Sequence, residues 1–180
     1  HLRLLHGSPA RRREFIDTLL SQLDPNYTAL LRKYDRSLRQ RNTLLKQSQV
    51  RAEDIFVWNV ALSDFGAQII EKRVYAVELL NQTVNDHYRD IAKTTDEISI
   101  HYSHTVIDGL AQKLLRELEQ AFDYDRAVKY TSVGPHRHDI KFHFNEYPAL
   151  AVASRGEVRS ILLALKRIEA VIIKKLLGKE

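Results

Sequence analysis

Between Glu53 and about Lys93 the residues Trp58, Leu62, Phe65, Ile69, Val77, Leu80, Val84 and Ile91 recur at helical spacing, without a proline and with only Gly66 interrupting the pattern. A stripe this long, with a period near 3.6, demands a long helix whose apolar face must be covered by something else. The cover is close at hand in the sequence. Asp24 caps and Pro25 opens a second helical pattern, in which Leu30, Leu31, Tyr34, Leu38 and Leu45 form the stripe as far as about Gln47. Only the polar link Gln47 to Ala52 separates the two patterns, so they are expected to fold back as an antiparallel hairpin. Gly66 costs about 1 kcal/mol against alanine inside a helix, which predicts a close helix crossing or a kink there.

Shorter elements flank this hairpin. Ser8 and Pro9 open a helix through Phe15, Ile16, Leu19, Leu20 and Leu23 that ends near Asp24. From Glu97 the texture alternates (Ile98, Ser99, Ile100, His101), as in a half-buried strand, and a helix follows from about Gly109 to Ala121. Val128 to Ser132 and His138 to Phe144 read as two further strands about a turn at Gly134 and Pro135. An extended apolar segment from Tyr147 leads to Ser154, where an amphipathic helix begins and continues through Val158, Ile161, Leu162, Leu165, Ile168, Ile172 and Leu176. The expected fold is mainly α with a small antiparallel β-sheet (α+β). Residues 1–95 form a helical arm with an N-terminal helix, residues 96–180 carry the sheet and the last helix, and the whole is one contiguous body.

With 44% hydrophobic and 28% charged residues the chain has the balance of a globular protein. Its most apolar stretch, Ile161 to Leu177, is broken by Lys166, Arg167, Glu169, Lys174 and Lys175, which argues against a membrane span. The absence of cysteine and of a signal peptide fits a cytoplasmic protein. Both ends look cut, the chain opening on His1 and closing on Leu176-Leu-Gly-Lys-Glu180 within what reads as a helix end. Residues 1–51 hold 11 Lys or Arg against 4 Asp or Glu, whereas residues 52–180 hold 17 against 19. That asymmetry suggests an anionic partner such as DNA, or else a solvated basic face. The DNA-binding candidates are Arg11, Arg12, Arg13, Arg32, Lys33, Arg36, Arg39, Arg41, Lys46 and Arg51, with Arg32, Arg36 and Arg39 at helical neighbour spacing along one ridge.

Two pieces of candidate chemistry are set aside. His101 and His104 lie three apart on a strand and face opposite ways, so a shared metal ion is disfavoured, with His136, His138 and His143 as the remaining imidazoles. Ser154, His136 and Asp139 could be imagined as a hydrolase triad, but no Gly-x-Ser-x-Gly elbow surrounds the serine. The informative element is Ser154-Arg155-Gly156-Glu157 at a helix start, where unpaired N–H groups and the dipole favour a phosphate. Ser154 could equally be only an N-cap.

Three stretches in order carry a family resemblance. Gly7-Ser8-Pro9 with Arg11, Arg12, Arg13 and Phe15-Ile16-Asp17 comes first. Tyr124 to Arg137, ending Gly134-Pro135-His136-Arg137 and followed by Asp139, comes second. Ala153 to Glu157, with Arg159 and Leu163-Ala-Leu-Lys166, comes third. Together they resemble the RecF family of ABC-type ATPases over essentially the whole chain. The resemblance implies a head that dimerises with ATP and magnesium sandwiched between Walker A of one subunit and the signature of the other. It places Ser154 and Gly156 at the γ-phosphate in trans, with Arg155 and Glu157 supporting the dimer interface, and leaves the role of Gly134, Pro135, His136, Arg137 and Asp139 open. It further implies DNA repair and replication at single-strand/double-strand junctions, the loading of recombinase at gaps within the SOS response and recombination, and RecR and, through it, RecO as partners. The parent family is a weak DNA-dependent ATPase.

The sequence departs from that family in one large respect: neither Gly-x-x-x-x-Gly-Lys-Ser/Thr nor an apolar strand ending in an acidic pair occurs in these 180 residues. The chain alone is therefore expected to bind no nucleotide and to be inactive. His138 stands where the family often has an acidic residue. A lobe of another SMC-like or ABC-type ATPase, and a standalone helical nucleic-acid-binding or scaffold domain, are the alternative readings.

Overall fold

The computed structural model describes residues 4, 5 and 7–176; Leu177 to Glu180, part of the end read as cut, lie outside the described residues. Among them the order is α1 (Pro9–Leu23), α2 (Pro25–Leu45), α3 (Ala52–Asn81), α4 (Val84–Ala92), β1 (Ile98–Tyr102), α5 (Leu110–Gln120), α6 (Phe122–Val128), β2 (Ile140–Phe144), β3 (Tyr147–Pro148), α7 (Ala149–Val152) and α8 (Arg155–Leu176). The α+β class expected from the sequence is met, and no described helix is long and apolar enough to cross a membrane.

The chain divides into two compact units, each assembled from separated segments. One takes the chain up to Asp24, Arg73–Ser103 and everything from Asp139, and the other takes Pro25–Lys72 and His104–His138. This division differs from the single cut near residue 95 drawn from the sequence, because α3 runs through the change from one unit to the other.

In the first unit the strands lie in the order β1-β2-β3, antiparallel throughout. The register pairs Ile98 with Phe144, Ile100 with Phe142 and Tyr102 with Ile140, so the alternating apolar residues of both strands fall on one face. That face is buried, and Tyr88 of α4 meets Phe144 edge-on at 6.2 Å. Helix α8 buries Val158, Ile161, Leu162, Leu165 and Ile168 and packs against α4 and α1. The sequence pattern from Glu53 to Lys93 is one helix too few: it breaks after Asn81. Asparagines on either side of the break serve β1. Asn81 donates from Nδ2 to the Ile100 carbonyl (2.8 Å) and accepts from the Ile100 N–H (2.9 Å), while Asn85 accepts from the Ile98 N–H (2.7 Å). The two asparagines thus satisfy the β1 edge that β2 does not cover.

In the second unit the expected hairpin is present. Arg41 bonds to Asn59, Lys33 lies over the Phe65 ring and Tyr34 lies beside Gly66, so partners move in opposite directions along α2 and α3. Leu45, Val50 and Ile55 close its end, with Leu44 and Phe122 packed on them. A Cβ on Gly66 would stand 3.3 Å from Pro135 Cδ and 3.5 Å from both Leu114 and Tyr34, so the glycine marks a close approach. Two sequence expectations fail, one in each unit. Val128 to Ser132 forms no strand, because α6 ends at Val128 and Lys129 turns the backbone left-handed at φ 64°. The segment after Tyr147 is not extended to Ala153 but coils into the single turn α7.

Candidate functional site

Ser154 caps α8 through a reciprocal pair of bonds. Its N–H donates to Glu157 Oε2 at 2.6 Å, and the Glu157 N–H donates to Ser154 Oγ at 3.3 Å. This is the capping box of a Ser-x-x-Glu helix start, and it fixes the serine hydroxyl at the dipole's positive end. Ser154, Arg155 and Gly156 are exposed, and a Cβ on Gly156 would meet only Ser154 Oγ, at 3.8 Å. Nothing described shields that backbone. Glu157 is turned back onto its own helix, and its charge and that of Asp96 add to the effect of burial in pushing the Tyr88 hydroxyl up to about 12. Ahead of the cap, Tyr147, Leu150 and Val152 expose their side chains, as does Leu163 within the helix. The helix start is therefore bordered by apolar surface.

The segment from Gly134 to Arg137 is built into the hairpin. Tyr34 and His136 Nδ1 share a bond of 2.7 Å, and His136 Nε2 meets the Thr131 carbonyl at 3.0 Å. A carbonyl can only accept, so in the neutral ring Nε2 carries the proton and Nδ1 accepts from the tyrosine hydroxyl. Arg137 donates to the same carbonyl from Nε (3.1 Å) and Nη2 (3.0 Å), with its guanidinium 4.5 Å over the Tyr130 ring. Gly134 adopts φ 124°, and a Cβ there would stand 2.5 Å from the Tyr34 hydroxyl, so only glycine fits. Pro135 is buried. Asp139, in the other unit, receives Arg12 on both oxygens at 2.8 and 2.9 Å. Burial would raise its pKa, but the hydrogen bonds from Arg12 and the Ile140 N–H prevail and hold it below the ordinary carboxylate value.

The candidate basic residues separate sharply. Arg41 is removed from any DNA contact: its side chain is 0% exposed and is bound on all sides by Asn59, Asp125, Thr131 and the Leu118 carbonyl. Arg12 is occupied by Asp139. Arg13 is half-buried, and burial followed by repulsion from Arg73 lowers its pKa. Arg32, Lys33, Arg36, Arg39 and Lys46 are exposed on α2 and just beyond it, as are Arg11 and Arg51. Of these, Arg39 pairs with Asp35 at 3.0 Å, Arg11 with Glu14 at 3.3 Å and Arg51 with Asp54 at 3.4 Å.

Ser154, His136 and Asp139 each bond elsewhere, to Glu157, Tyr34 and Arg12, which removes the triad. The histidines pair as His101 with His143 and His104 with His138, each at 4.7 Å between ring centres. No group of three or more metal-ligating residues occurs among the described residues. Two features were missed in the sequence. Arg73, buried, clamps Asp17 at 2.8 and 2.9 Å. Arg41 sits four residues before Leu45 and seven after Tyr34, a charge on the apolar stripe, which was the available signal of burial.

No protein-family model matches the chain. It is 36% identical over 182 aligned residues to the DNA replication and repair protein RecF of Streptococcus pyogenes serotype M49, a match covering 98% of this chain and 49% of that protein. It is 35% identical over 178 residues to the protein of that name from Streptococcus agalactiae serotype V, covering 96% and 48%. Among solved structures it is similar to the recombination mediator protein RecF-ATPrS in the RecFOR pathway, with TM-score 0.90, 27% identity and coverage of 99% of this chain and 50% of that one. The RecF-ATP structure of that pathway also matches, with TM-score 0.90 and 26% identity. The chain thus spans about half the length of the curated relatives it matches.

Proposed function

We propose that this chain, which is homologous to the RecF proteins along 98% of its length, serves as the signature-bearing part of a RecF-type DNA replication and repair protein. In that reading the whole protein binds DNA at single-strand/double-strand junctions under control of ATP-dependent dimerisation, and helps load recombinase at gaps together with RecR and, through it, RecO. The observation that carries the reading is the start of α8. A capped serine hydroxyl and an unshielded Gly156 backbone stand together at the positive end of a 22-residue helix.

Such an end suits a phosphate, because the N–H groups of a first helical turn point outward along the axis and are fixed in direction before the anion arrives. Ser154 Oγ and the Gly156 N–H would meet the γ-phosphate of ATP held by the other subunit, with magnesium on that subunit's side. ATP would supply the charge that joins the two heads. The exposed apolar residues Tyr147, Leu150, Val152 and Leu163 suit the surrounding subunit contact. Arg155, exposed beside the cap, would balance the phosphate. Glu157 would hold Ser154 in place from behind as its capping partner, a positioning role.

The test is Ser154→Arg in the full-length protein. The bulky side chain is expected to abolish the dimer that ATP induces, read by gel filtration with and without nucleotide, while the monomer keeps its fold by circular dichroism. Dimers forming normally with ATP would remove Ser154 from the phosphate.

A further inference from the structure

At α6 the chain exposes two tyrosines, Tyr124 within the helix at 57% and Tyr130 just after it at 41%. Their hydroxyls are hydrogen-bonded to each other, which raises the Tyr124 pKa. The Arg137 guanidinium lies 4.5 Å from the Tyr130 ring and is locked in place by the Thr131 carbonyl. Thr131 is itself buried, with its N–H and hydroxyl both donating to Asn42 Oδ1 at 2.8 and 2.7 Å. The planar groups therefore stand on a rigid base. Asn42 has Arg39 three residues before it and Lys46 four after it, so the tyrosines border the basic side of α2. Lys129, exposed between the tyrosines in sequence, adds a further cation. The nearby acids are engaged: Asp123 with Arg126 at 3.0 Å, and Asp125 with Arg41.

We infer that Tyr124, Tyr130 and Arg137 form a stacking platform for an unpaired base of a DNA strand, whose phosphates run onto Lys129, Arg39 and Lys46. Aromatic faces and arginine planes beside a positive groove are how proteins hold single strands without reading sequence. A duplex offers such a platform little, because its bases are already stacked on one another, so the platform sees the unpaired side of a junction. The inference rests on the DNA-binding reading and specifies which part of the DNA this surface takes.

The experiment uses the full-length protein with two labelled probes: a blunt duplex, and the same duplex with a tail of roughly ten nucleotides, within the site size of such surfaces. The tail carries 2-aminopurine at its first unpaired position. The unaltered protein is expected to bind the tailed probe more tightly and to change the 2-aminopurine fluorescence by stacking. Tyr124→Ala with Tyr130→Ala should weaken tailed-probe binding about ten-fold, abolish the fluorescence change and leave duplex binding alone. Tyr130→Leu, which keeps side-chain bulk and loses the aromatic face, should lose the fluorescence change, and Tyr130→Trp should retain it. An unchanged tailed-probe affinity in the double variant, or an equal loss on both probes, overturns the platform. If the unaltered protein binds neither probe at low salt, the DNA reading itself fails.

Discussion

Arg41 holds a full charge where no part of its side chain meets water, and each of its three nitrogens has a defined acceptor. Nε donates to Asn59 (2.7 Å), Nη1 to Asp125 (2.6 Å) and Thr131 (2.9 Å), and Nη2 to the Leu118 carbonyl (3.2 Å). Asp125 uses its other oxygen to accept the Ser132 N–H at 3.0 Å. Burial lowers the Arg41 pKa, and the hydrogen bond and charge of Asp125 oppose that fall. One side chain therefore ties α2, α3, α5, α6 and the loop after α6 together. The pair need not be more stabilising than a well-packed apolar replacement, but removing one partner strands the other. Arg41→Met is expected to cost about 3–5 kcal/mol in urea unfolding. Adding Asp125→Asn should recover part of that loss, since the stranded group is then neutral. A cost below about 1 kcal/mol for the single change, the size expected of exposed pairs, would show that Arg41 is not the tie described.

At the scale of a helix, α2 presents two faces with different work. Tyr27, Leu30, Tyr34, Arg41 and Leu45 are buried, and Arg32, Arg36 and Arg39 form an exposed ridge. Replacing all three ridge arginines by glutamate should weaken duplex binding and flatten its dependence on salt by about two to three units of logarithmic slope, because each phosphate contact contributes about 0.9. The upper end assumes a full share from Arg39, which its pairing with Asp35 reduces. Unchanged affinity in a low-salt titration would take the ridge out of the account. Elements of this kind were legible in the sequence, since periodicity and caps alone place α1, α2, α5 and α8 to within a few residues. What escaped was set by distant partners. Asn81 and Asn85, on either side of the helix break, bond to β1, and the loop after α6 is held by Asn42, Arg41 and Tyr34 rather than by a neighbouring strand. In the site, the Ser154 cap was readable from four consecutive residues. The partners of Arg12 and Arg41 were not, because Asp139 and Asp125 lie 127 and 84 residues away.

For the molecule as a whole, several groups make stability fall on acidification. His104 is lowered by burial and by Lys113, and His143 by burial, His101 and Lys141. A histidine whose folded pKa is depressed favours the folded state above its unfolded value of about 6.5, and that contribution is lost as pH falls below it. Asp139 and Asp96 are depressed carboxylates, so their contribution holds above about pH 4 and disappears as pH falls through their folded values. Thermal unfolding should therefore show a shallow decline from about pH 6.5 and a steeper one below about pH 4. Arg12→Gln should blunt the lower step, because it removes the main hydrogen-bonding partner of Asp139; an identical pH profile in that variant would count against the assignment. The same ion pair bears on synthesis. Arg12 leaves the ribosome 127 residues ahead of Asp139, an interval of roughly 6–25 s at 5–20 residues per second. Throughout it Ile16, Leu19 and Leu20 lack the β2 and α8 surfaces that will cover them. Helix α1 thus waits for distant parts of the chain before it finds its place, and a nascent chain in that state is a natural client for chaperones.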